Sequence, residues 1–209
     1  MIFDVGHKKD KFLEDIYESS MDELDEFFEL NWKRNRPNVF LMEDRNTINA
    51  FRGGKAPDWL TGWVFGNNVC VLSNKNFEKE SSHKYSDKGY KSLIKHELAH
   101  SFTKVLVGFG GKPKWLWEGI AIYLSGQLKS KTTPEKLSNF LTFHEAGAMD
   151  GVYKESGFAV GFLVEKYGKE KLLSLLKLLR EKDTPEQLAK KFREVYGFDL
   201  DYKNFQLNK

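Results

Sequence analysis

The apolar pattern of this chain changes period partway along, and that change limits the folds open to it. Before residue 75 the apolar residues come in short runs, at Val39 to Met42, Leu60 to Phe65 and Asn68 to Leu72. Such runs read as strands, the last two joined through a tight turn at Gly66-Asn67. After residue 90 the apolar spacing becomes three to four residues, the period of a helix with one buried face. That spacing predicts helices over 90–107, 115–128, 134–143, 152–167, 169–179 and 185–196. One more amphipathic helix, over 11–32, precedes the first strand, with Leu13, Ile16, Tyr17, Met21, Leu24 and Phe28 in helical register. Pro37 closes it, because the residue before a proline is pushed out of helical geometry. Asp44 is placed to cap a short helix through Phe51. The polar stretch over 74–89 is expected to be irregular. Strands gathered in one part and helices in another predict an α+β fold rather than alternating βαβ units.

At 209 residues the chain suits one compact domain. Within it the pattern divides into an N-terminal helical segment (1–36), a sheet-bearing lobe (37–110) and a helical lobe (111–209). The 33 basic residues nearly balance the 30 acidic ones, and the lysines are scattered. That distribution gives no basic face for nucleic acid. Cys70 is the only cysteine, so neither an intrachain disulfide nor a cysteine-based metal site can form. The opening residues MIFDVGHKKDKFLED carry charges where a signal peptide has its apolar core. Without any run of about 18 apolar residues, no membrane span is expected either. A cytoplasmic location is the expectation.

The stretch Lys95 to Phe102 reads KHELAHSF. Residues four apart on a helix lie one turn above each other, so His96 and His100 can point at one ion. Glu97, one residue round from His96, can then take a proton from a water that the metal acidifies. The H-E-x-x-H pattern therefore encodes two ligands and a base in five residues. Its competing reading is two surface histidines on an amphipathic helix. Tyr90, Ile94, Leu98, Phe102 and Val105 form the apolar stripe of this helix, and the histidines fall opposite it. Leu93, Ala99 and Val107 also lie off that stripe, which fits a helix packed on one side and facing a cleft on the other.

A catalytic zinc needs three protein ligands and an open position. His7, His83 and His144 lie in no second ligand-like pattern. Glu118 is the better candidate. It follows the glycine-rich turn GFGGKPK and opens a helix in WLWEGIAIY, among apolar residues where carboxylates are normally paired or metal-bound. Its competing reading is an acid favoured at the positive end of a helix dipole.

H-E-L-A-H followed by W-E-G-I-A, with seventeen residues between His100 and Glu118, resembles the gluzincin metallopeptidases. The context looks most like their compact peptidase-MA-like domains. APDWLTGWVFGNNVCVL and VYKESGFAVGFLVEKYG are similar to the segments flanking the zinc helix there, and the likeness spans roughly 38–179. The resemblance implies a zincin-like fold with a cleft between its lobes. It also implies one zinc ion on His96, His100 and Glu118, Glu97 as general base, and a peptide or protein substrate. For stabilising the oxyanion it suggests Tyr153 first, then His144 and Tyr123. It further implies that Asn68 to Leu72 is an edge strand that binds substrate, an internal hairpin strand being the other reading. Trp117 and Ile122 stand where thermolysin-like enzymes have the asparagine before the ligand glutamate and an aspartate that supports the ligands. The aminopeptidase motif that grips a free amino group is also missing, which favours an endopeptidase or oligopeptidase. A metal-binding module of the same fold without peptidase activity is the alternative from another class.

Overall fold

Three short strands make one mixed sheet in the order β1-β3-β2, where β1 is Val39–Met42, β2 is Gly62–Phe65 and β3 is Asn68–Leu72. The computed structural model describes residues 3, 5–7, 9–143 and 150–206. β1 runs parallel to β3, with Val39 opposite Val69, and β2 runs antiparallel, with Gly62 opposite Val71. A parallel pair needs a crossover. Here it passes through helix α2 (Arg45–Arg52), capped at Asp44, whose Oδ1 accepts from the Thr47 N–H. β3 is thus the central strand, with Val69 to Leu72 wholly buried. This corrects the edge-strand expectation for Asn68 to Leu72: the free edge on that side belongs to β2.

Helix α1 (Lys11–Phe28) is capped by Asp10 and ends at Glu29 in the left-handed region, four residues short of the expected 32. The 74–89 stretch is less irregular than its polarity predicts. It holds a 3-10 turn at Asn74–Asn76 and the short helix α3 (Phe77–Glu80), pinned by the buried Phe77. Helix α4 (Asp87–Val107) starts under a Ser86 cap and stops at Gly108, φ 83°. Then come α5 (Lys114–Leu124), α6 (Asp150–Tyr167), α7 (Lys169–Leu178) and α8 (Pro185–Tyr196), the last opened by a Thr184–Gln187 capping box.

Two helical expectations fail. The segment over 134–143 is not helical. Its Ser138 and Asn139 N–H groups donate to the Glu155 carboxylate on α6, and its Thr142 and Phe143 carbonyls accept from the first N–H groups of α5. Those outside partners replace the intrahelical bonds. The helix expected over 115–128 breaks at Gly126, φ 76°, and continues only as a 3-10 turn, Gln127–Ser130.

α4 is the central element, packed against α1, β2, β3, α5 and α7. Its residues 96–103 are buried all round the helix. Val105 is 47% exposed, so the apolar stripe stops at Phe102 instead of reaching the last turn. A fully buried side chain such as Leu98 contributes about 1.5–3 kcal/mol. α5 and α6 approach closely through glycines: a Cβ on Gly119 would stand 2.6 Å from the Ser156 carbonyl oxygen. That contact fixes the helix that carries Glu118. No helix among the described residues is long and apolar enough to cross a membrane.

Candidate metal centre

α4 and α5 meet at a buried point and deliver three donor atoms to it. His96 and His100, one turn apart, bring their Nε2 atoms within 3.1 Å, with the rings edge-on at 89°. Glu118 Oε2, from the facing turn of α5, lies 3.4 Å from His96 Nε2 and 3.7 Å from His100 Nε2. All three residues are buried, and together they form a group that could hold a metal ion. The helix period predicts the histidine pair; the α4–α5 turn brings Glu118 across to it.

The surroundings set the charge of each member. Burial alone would raise the Glu118 carboxyl, but His100, His96 and Lys114 together hold it well below the usual carboxylate range. Burial depresses His100 to about 3, so its imidazole is neutral at any physiological pH. His96 moves up despite burial, drawn by its bond to Glu118 and by the charges of Glu97 and Glu118. Lys114 sits one helical turn before Glu118, nearly buried, with Nζ 3.0 Å from Oε1. The carboxylate is therefore divided: Oε1 faces the ammonium and Oε2 faces the histidines.

Glu97 is 6% exposed and turns toward β2. Burial, opposed by His96, pushes its carboxyl up to about 7. A Cβ on Gly62 would lie 3.0 Å from Glu97 Cγ and Oε1, so a side chain at residue 62 would press on this carboxylate and make it shift.

The other expected site residues are placed differently. Tyr153 is half-buried in the first turn of α6, outside the three-residue group. Tyr123 packs its ring on Gly161 of α6 and senses Glu165. Five residues along a helix turn a side chain about 140° from Glu118, and that rotation carries it to α6. His144 lies outside the described residues. His83 Nε2 bonds the Trp59 carbonyl.

Four residues around the site went unassigned from sequence. Lys114 could have been found from its i,i+4 spacing to Glu118. Gly62, Trp117 and Gln127 could not, since their roles arise across elements. Trp117 stacks on His100, with centroids 4.7 Å apart and planes 6° from parallel. Gln127 reaches His96 and favours its protonated form. The Nδ1 atoms of both histidines are buried without a hydrogen-bond partner among the described residues. No protein-family model matches this chain, and no curated protein sequence does.

Proposed function

We propose that the chain is a zinc-dependent peptidase of zincin-like architecture, an endopeptidase or oligopeptidase working in a cleft beside β2. The observation that carries this reading is the convergence of His96 Nε2, His100 Nε2 and Glu118 Oε2 on one buried point, with the buried Glu97 carboxyl near enough to feel the charges of His96 and Glu118. Tetrahedral bonds of 2.0–2.1 Å to zinc require donor atoms about 3.3 Å apart, and the separations of 3.1, 3.4 and 3.7 Å bracket that value. His100 is neutral and Glu118 ionised, as ligands must be, while His96, which moves up in the metal-free fold, would release its proton on binding. Three protein ligands, rather than four, leave a position open for chemistry.

Bound there, zinc would supply a Lewis acid for the scissile carbonyl and would acidify water to a pKa of about 7. Glu97 then holds the proton. Beside a bound cation the buried carboxylate is favoured in its ionised form, and it can accept the proton from water and return it to the leaving amine. The Thr61 carbonyl accepts from the Leu72 N–H, so in the antiparallel alternation Gly62 and Val64 turn their backbone groups to the free edge. An extended peptide can add there as a further strand beside Glu97. Tyr153 carries the oxyanion-stabilising role in this reading, by resemblance.

The test is metal analysis of the purified protein, followed by digestion of a peptide library by the native chain and by Glu97→Gln. One zinc per chain, cleavage by the native protein and a loss of at least about 100-fold in Glu97→Gln with zinc retained are expected. Absence of stoichiometric zinc sinks the proposal. Zinc without cleavage selects the metal-binding module instead.

A further inference from the structure

We propose that Trp117 is the positioning residue of this centre: its indole face holds the His100 imidazole in the orientation that presents Nε2 to the metal. The proposal rests on reading His96, His100 and Glu118 as a metal centre. In most such sites a ligand histidine is oriented through its other ring nitrogen, which donates to a carboxylate, a carbonyl or water. Here neither His96 Nδ1 nor His100 Nδ1 has a hydrogen-bond partner among the described residues, although both are buried. His96 still meets the Gln127 side chain, so it is for His100 that orientation falls to packing.

For His100 the packing is specific. Its ring stacks on Trp117, 6° from parallel at 4.7 Å, and meets the His96 ring nearly at right angles, 89° at 4.7 Å. Rotation about the terminal torsion of a histidine is soft. A coplanar neighbour blocks it, because any tilt drives the imidazole into the indole. The tryptophan has its own seat. Gly110, in the turn between α4 and α5, meets the far end of the indole, and a Cβ at that position would come within 3.2 Å of it. Trp117 also precedes Glu118 directly, so one turn of α5 delivers both the third ligand and the plate behind the second. Metal coordination draws electron density from an imidazole, and the electron-rich indole face stabilises the resulting positive ring. Trp117 therefore grips more firmly in the metal-bound state.

The experiment compares wild type, Trp117→Leu and Trp117→Phe. Zinc affinity is read by competition with a chromophoric chelator at neutral pH, and the geometry by visible absorption after cobalt(II) substitution. Melting of the metal-free forms controls for folding. Trp117→Leu is expected to bind zinc about 10–100-fold more weakly and to show an altered cobalt spectrum. Trp117→Phe, which keeps a flat ring, should restore affinity to within a few fold together with the spectrum. Cobalt should also quench indole fluorescence in wild type, and Trp117→Phe should lose most of that quenching, a readout independent of how the leucine variant folds. Equal zinc affinity and an unchanged cobalt spectrum in Trp117→Leu would overturn the proposal alone. A wild-type protein that binds neither metal would overturn the metal-centre reading and this proposal with it.

Discussion

Glu118 and Glu155 are both buried, on the adjacent helices α5 and α6, yet they are partnered in opposite ways. Glu155 Oε2 accepts the backbone N–H groups of Ser138 and Asn139 at 2.7 and 2.8 Å. Those fixed donors offset its desolvation, and the bonds tie the 138–143 segment to α6. Glu118 faces side chains instead: two imidazoles and the Lys114 ammonium. One carboxylate is committed to the fold. The other is surrounded by groups that a cation can recruit. Burial is therefore a poor guide to function by itself, and the kind of partner is the better one. Backbone donors mark a structural acid; converging side-chain donors with orphaned ring nitrogens mark a binding site.

That contrast can be broken by exchanging the outcomes. Glu118→Gln should lower zinc affinity by more than about 100-fold, a larger loss than removing a residue that only orients a ligand. The amide keeps the shape of the site but removes the charge that faces the nearly buried Lys114 ammonium, so the metal-free melting temperature should fall as well. Glu97→Gln gives the next largest effect, in stability. The Glu97 carboxyl titrates near 4.5 when unfolded and about 7 in the metal-free fold, so the native state holds more protons between those values. Its contribution is fully present below 4.5 and lost as pH rises through 7, a change of up to about 3 kcal/mol. In chelator-treated protein, Glu97→Gln should flatten the fall in urea midpoint between pH 5 and pH 8. An unaltered slope would mean that Glu97 is better solvated than its burial implies. Glu155→Gln should cost about 2 kcal/mol, from weakened charge-assisted bonds to Ser138 and Asn139. That corresponds to roughly 4–8 °C in melting temperature, with zinc binding intact. Loss of metal in Glu155→Gln, or undiminished zinc affinity in Glu118→Gln, would erase the distinction between the two acids.

What could be read from the sequence was local. The α+β class, the strand runs and the histidine pair depend on spacings of two to five residues, and the structure places them close to where the pattern does. Glu118 was legible because an acid among Trp115, Leu116 and Ile120 contradicts its neighbours. The early end of α1 at Glu29 and the break at Gly126 are local, but the larger failures were long-range. The helix expected over 134–143 has helical spacing, but its N–H groups find Glu155 instead, across the 144–149 segment. The resemblance implied an edge strand at Asn68 to Leu72 with an internal strand as the other reading, and nothing local decides between them, since the parallel partner β1 lies far away in sequence. Val105 fits the apolar stripe of α4, yet it is left 47% exposed. Trp117 occupies a position where the resemblance implied asparagine, and only the packed structure shows a ring against His100.

The smallest effect tests the third buried glutamate, Glu97, which stands outside the three-residue group that could hold a metal ion. Gly62 is the point where the free-edge strand meets Glu97. A methyl group there would lie 3.0 Å from Glu97 Cγ and Oε1 and from Leu93 Cδ1. All three contacts are with side chains, so the strand can stay in register while the carboxylate shifts by a few tenths of an ångström. Alanine in place of glycine also restricts the unfolded chain, which offsets part of the strain. Gly62→Ala should therefore change stability by less than about 1 kcal/mol and leave zinc affinity unaltered, since no ligand touches residue 62. Turnover should respond more. Proton transfer depends on a carboxylate held within hydrogen-bond reach of its proton, and misplacement on an ångström scale can cost about 100-fold. A fall in kcat of roughly tenfold is expected, with the Glu97 arm of the kcat pH profile displaced as its surroundings change. If kcat and its pH profile both match wild type, the close approach of β2 to Glu97 is packing alone, and the base must act from a position that the strand does not set.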